Sequence, residues 1–117
     1  MKNTLLLGLF FLSIFASAQK QTVTYSISPA TFEETTAITI TINGSSVNET
    51  TWGVTGNALY LWTWAFDTND TTQKGTPLNG SWTASDEASK FTYNSGSDTY
   101  TKTITPTAYY NTTGIGK

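Results

Sequence analysis

Apolar and polar residues alternate along much of the chain after residue 18. Between Thr36 and Ile42 the isoleucines at 38, 40 and 42 fall on one side of an extended backbone, and Thr39 and Thr41 fall on the other. Successive side chains of a pleated strand point to opposite faces, so this period of two predicts a strand with one face in a core and one in water. Upstream, Val23, Tyr25 and Ile27 alternate with Thr22, Thr24, Ser26 and Ser28 until Pro29. Proline has no N–H to give to a ladder, so the run predicts an edge strand that stops there. The most hydrophobic stretch is Ala58 to Phe66. Its even positions Tyr60, Trp62, Trp64 and Phe66 are all aromatic, and its odd positions are Leu59, Leu61, Thr63 and Ala65. Two apolar faces predict a central strand, with Tyr60, Trp62, Trp64 and Phe66 as core aromatics.

Turn chemistry separates these runs. Asn43-Gly44-Ser45-Ser46 follows the isoleucine strand, and Asp67 to Gly80, which contains Pro77 and two glycines, reads as a loop. A hairpin is expected from Lys90–Asn94 and Thr99–Thr105 around Ser95-Gly96-Ser97-Asp98, with Pro106 ending its second strand. No convincing helical period appears after residue 18. The fold class is therefore all-β, and the strands number about five or six, one or two short of a complete immunoglobulin-like antiparallel sandwich.

The N-terminus has a different pattern. Lys2, the apolar run Leu5 to Leu12 with Ile14 and Phe15, and the small triplet Ala16-Ser17-Ala18 form a secretory signal peptide over residues 1–18, with cleavage expected after Ala18. The run is about half the ~20 residues a membrane-crossing helix needs, so no membrane insertion is expected. Residues 19–117 make one domain of about 100 residues, enough for a single core. The expected compartment is the cell exterior or cell surface.

Composition removes whole classes of chemistry. The chain has no histidine and no cysteine. It therefore lacks the usual general base, the thiol nucleophile and the commonest transition-metal ligands, and a Ser/His/Asp or Cys/His site is excluded. Hydrolysis by a carboxylate pair needs a substrate cleft, which a sandwich of this size rarely builds. The expectation is a non-enzyme with no cofactor. All six cationic side chains are lysine, against eight carboxylates, for a formal net charge of −2. That balance does not suit a phosphate backbone, so no nucleic-acid partner is expected.

The succession Ser28-Pro29-Ala30-Thr31-Phe32, Ala37 to Ile42, Ala58-Leu59-Tyr60-Leu61-Trp62-Thr63-Trp64, and Tyr100 to Pro106 with Tyr109-Tyr110 resembles an Ig-like module of Bacteroidetes secreted proteins. Similar modules accompany surface glycan-handling systems, near starch-binding outer-membrane proteins of the SusE type and the E-set modules of α-amylases. The resemblance implies an Ig-like fold outside the cytoplasm and a polysaccharide partner, a starch-like glucan or another glycan. In that family further strands follow the counterpart of Ile115-Gly116-Lys117, so the chain reads as an N-terminal fragment. Other surface proteins or a following sorting domain are further partners it implies.

Sugar rings pack their C–H faces on flat aromatic side chains and take orienting hydrogen bonds from a few polar groups. Trp52 and Trp82, flanked by Thr51, Gly53, Ser81 and Thr83, are the candidate exposed faces. Asp67, Asn69, Asp70 and Asn79 are the candidate hydrogen-bonding groups, with Gln73 in the same stretch. Asp67 to Asp70 gathers oxygens, yet the segment lacks the glycine and the glutamate that an EF-hand requires, so it reads as a solvated loop with no metal. The alternative function is a structural spacer or adhesion domain whose aromatics are all core, and fold alone does not separate the two.

Overall fold

The computed structural model describes residues 22–114, and the proposed signal peptide at residues 1–18 lies outside them. The isoleucine alternation forms β2 (Ile38–Asn43), an inner strand of a four-stranded antiparallel sheet. Its order is β1 (Tyr25–Ser28), β2, β6 (Thr99–Ile104), β5 (Thr92–Asn94). Ile38 lies opposite Ile104, Ile42 opposite Tyr100, and Ile27 opposite Ile40, which gathers the large apolar groups on one face. The other face carries hydroxyls: Thr39 lies opposite Thr103, with their Oγ1 atoms 2.9 Å apart. β1 stops at Ser28, before Pro29, and β6 stops before Pro106, which opens the short helix α2 (Pro106–Tyr109). Both prolines act as the sequence reading expects.

The inner face supports two linked clusters. Val47, Leu59, Phe91 and Tyr100 form one, and Ile38, Ile104 and Tyr109 the other. Ile40 and Leu61 pack against both. Behind β2 the chain makes a single 3₁₀ turn at Gly44–Ser46 and a short helix, α1 (Glu49–Trp52). Tyr100, fully buried in the body of the ring, donates its hydroxyl to the Glu49 Oε1 atom at 2.7 Å.

A second, two-stranded antiparallel sheet pairs β3 (Trp64–Phe66) with β4 (Gln73–Gly75). Two sequence expectations are corrected here. The stretch from Asp67 to Gly80 is not all loop, because β4 folds back on β3 with Phe66 opposite Gln73 and Trp64 opposite Gly75. The expected long central strand from Ala58 to Phe66 is paired as a strand at Trp64–Phe66 alone, with a single bridge from Tyr60 to Lys90 before it. Among the described residues the protein is all-β, built from antiparallel sheets with two single-turn helices.

Candidate functional site

The segment from Leu59 to Phe66 shows how the site is built. Phe91 N–H donates to the Leu59 carbonyl and Leu61 N–H donates to the Ser89 carbonyl, each at 2.8 Å, and Tyr60 bridges antiparallel to Lys90. This pins the chain in an extended form in which odd positions face inward. Leu59 is buried, Leu61 fills the space between the two clusters, and Thr63 Oγ1 meets the Tyr110 hydroxyl at 2.9 Å.

The even positions consequently face outward. Trp64 is 49% exposed and Phe66 42% exposed, so the assignment of these two as core aromatics is overturned. Trp62 and Tyr60 are half-buried rather than central. The core fills from the leucine side, and no second layer covers the aromatic side among the described residues. Tyr60 is held at the start of the row, its hydroxyl donating to Glu87 Oε1 at 2.6 Å, with Lys90 Nζ 5.8 Å from its ring centroid. The hydrogen bond from Tyr60 and the nearby Lys90 hold the Glu87 carboxyl below its ordinary range.

Trp82 joins this face from another part of the chain. Ser81 and Ala84 exchange backbone hydrogen bonds at 2.9 and 3.1 Å, which leaves Trp82 and Thr83 as the tip of a two-residue turn. Trp82 is 86% exposed, yet it stacks on Trp62 with ring centroids 4.4 Å apart and planes 12° from parallel. Gly80 makes the turn's tight entry possible. Its φ of +71° suits glycine, and a Cβ there would sit 2.5 Å from the Ala84 carbonyl oxygen and 2.8 Å from the Asp86 nitrogen.

The polar groups expected around the aromatics divide into those already committed and those still open. Asn79 accepts from Thr63 N–H at 3.1 Å and donates to the Thr63 carbonyl at 2.8 Å, so it braces the backbone between Trp62 and Trp64. Asp67 caps its own hairpin: Oδ1 accepts from Asn69 N–H at 3.1 Å and Thr71 N–H at 3.0 Å. These bonds, led by the one from Thr71, hold its carboxyl down to about 2, fully ionised at neutral pH. Asn69 and Asp70 sit exposed at the hairpin tip, Asp70 with φ +55°. Gln73 is exposed directly opposite Phe66, on the aromatic side of the hairpin. Trp52, 44% exposed, belongs to α1, which is tied through Glu49 to Tyr100 of the four-stranded sheet.

The structure thus gathers Trp62, Trp64, Phe66 and Trp82 into one outward aromatic face with Gln73 beside it and acidic groups at its end. Sequence reading missed Gly80 and the bracing role of Asn79. The signal available for the former was a glycine two residues before an isolated tryptophan. Among the described residues no group of three or more His, Cys, Asp or Glu side chains is placed to hold a metal ion. No family model, curated protein or solved structure matches the chain.

Proposed function

We propose that the chain is an exported, non-catalytic Ig-like module that holds polysaccharide against this aromatic face, as an accessory to a glycan-handling surface system. The observation that carries it is the stacked Trp62–Trp82 pair, whose outer ring is almost wholly exposed, with the exposed Trp64 and Phe66 at the next alternate positions of the same segment as Trp62. Contiguous exposed apolar surface of this kind marks an interaction site more often than scattered residues do. Flat aromatic faces are also what the C–H side of a sugar ring packs against. The order β1–β2–β6–β5 supports the Ig-like reading, since it is the A-B-E-D order of one sheet of such a sandwich, with β3 in the place of strand C. Export is supported by the run from Lys2 to Ala18, and the absence of histidine and cysteine supports a non-catalytic role.

Among the sequence candidates, Trp82, Asn69 and Asp70 keep a ligand-facing role, with Trp64, Phe66 and Gln73 added. Asp67 and Asn79 become supports, and Trp52 stands on a different element. A spacer or adhesion role is the second reading, favoured by the threonine-lined face of the larger sheet. Titrating the chain with soluble starch and other soluble glycans while following tryptophan fluorescence separates the two. Glycan binding predicts a saturable shift that Trp82→Ala reduces at least tenfold. No shift with any glycan contradicts it in favour of the spacer.

A further inference from the structure

The geometry points to neutral, flat-ribbon polysaccharides with equatorial linkages as the ligand class of the aromatic face. This deepens the glycan-binding reading above and rests on it. Trp62, Trp64 and Phe66 occupy alternate positions of one segment, held by the Tyr60–Lys90 bridge at one end and by the β3–β4 pairing at the other, with Trp82 stacked on Trp62. At the rise of an extended chain these positions make a row with a repeat of about 6.6 Å and a span of about 13 Å. A straight row matches a glycan chain that is itself straight and presents successive rings in one plane. A coiled α-linked glucan curves away and leaves most of such a row empty.

The chemistry of the surroundings narrows the class further. Recognition that distinguishes one hydroxyl from another needs open donors and acceptors beside the rings. Here Asn79 spends its amide on Thr63, and Asp67 spends its carboxylate on Asn69 and Thr71. Opposite Trp64 the partner strand offers Gly75, where even an added Cβ would meet nothing within 4 Å. What remains is broad stacking with Gln73 alongside and Asn69 and Asp70 confined to the hairpin tip, suited to rings whose faces are all C–H and whose hydroxyls lie at the edges. Asp67 and Asp70, at the end of the row, place negative charge beside any ligand lying along it. Lys74 is no counterweight, since it lies opposite Ala65 on the reverse side of the hairpin and donates its Nζ to Thr112 Oγ1 at 3.4 Å, and Lys90, at the far end of the row beside Tyr60, is paired with Glu87 at 3.6 Å. A polyuronate meets like charge there, whereas a neutral chain does not.

The test is depletion of the chain from solution by microcrystalline cellulose and by chitin, beside equal masses of insoluble starch and of calcium-gelled polygalacturonate, at low and at molar salt. The expected result is saturable binding to cellulose or chitin, at least tenfold tighter than to starch or polygalacturonate and unchanged by salt. Trp64→Ala and Trp82→Ala, each checked for native far-ultraviolet circular dichroism, should each weaken it tenfold or more. Should either fail to fold, Phe66→Ala serves in its place. Starch or polygalacturonate bound as tightly as the ribbons overturns the ligand class while leaving glycan binding standing. Binding to none of the four overturns both, and retention on the ribbons that folded row variants do not weaken overturns the row as their site.

Discussion

The side-chain amide of Asn79 satisfies both backbone groups of Thr63, accepting from its N–H and donating to its carbonyl. One side chain therefore does locally what a neighbouring strand does for a ladder residue. It does so at the point where the chain passes from the bridge at Tyr60 and Lys90 to the β3–β4 pair. The flanking residues are Trp62 and Trp64, so the orientation of the aromatic row depends on this contact.

Asn79→Ala leaves a part-buried N–H and C=O without their partner, which costs about 1–3 kcal/mol. The expected outcome in a denaturant titration is a loss in that range. Glycan affinity should fall with it although Asn79 need not touch the ligand. Asn79→Asp, which keeps the acceptor but turns a carboxylate oxygen toward the Thr63 carbonyl, should cost at least as much.

Gly80→Ala tests the turn that carries Trp82. With φ at +71° and the Ala84 carbonyl and Asp86 N–H in the way of a Cβ, the turn must open. Stability should drop by about 1–3 kcal/mol. The exciton signal of two stacked indoles in circular dichroism should vanish, as it should in Trp82→Ala.

Among the described residues the buried Tyr109 hydroxyl has no hydrogen-bond partner, and burial raises its pKa to about 12. Removing an unsatisfied buried group recovers its desolvation cost while the ring keeps its place against Ile38 and Ile104. Tyr109→Phe should therefore be neutral or stabilise by up to about 1 kcal/mol. A thermal melt of the two proteins side by side measures it.

Much of the four-stranded sheet was legible because the period of two and the two prolines act locally. The alternation at Ile38, Ile40 and Ile42 says which face is core whatever the rest of the chain does. The aromatic segment was not legible in the same way. Both faces of this segment are apolar, so pattern alone reads a central strand with Tyr60, Trp62, Trp64 and Phe66 in the core and does not say which face turns outward. The choice is made by Leu59 and Leu61, which fit between Phe91, Tyr100 and the isoleucines. That is tertiary information. The role of Asn79 likewise depends on a contact sixteen positions away in sequence, and the turn at Ser81–Ala84 carries no glycine or proline to announce it. In Asp67-Thr68-Asn69-Asp70 the turn chemistry was visible, but the strand it returned to, Gln73–Gly75, has no apolar alternation of its own.

Alkaline pH probes the buried end of the larger sheet. Burial first, and then the hydrogen bond to Glu49, push the Tyr100 hydroxyl well above its ordinary value near 10. A group whose pKa is raised by folding contributes stability that is fully present below its unfolded value and is lost as pH rises toward its folded value. Stability should therefore be independent of Tyr100 ionisation up to about pH 10 and decline above it. Tyr100→Phe should flatten that decline, at the cost of leaving Glu49 without its donor.

Residue-resolved hydroxyl-radical footprinting, with and without a saturating glycan ligand, tests the outward aromatic face most directly. The predicted result is rapid labelling of Trp82, Trp64 and Phe66 in the free chain against slow labelling of Tyr100 and Tyr109, and shielding of that first set by the glycan with Trp52 unchanged. Protection of Trp64 and Phe66 in the free chain, or labelling that a saturating glycan leaves as it was, would contradict the account.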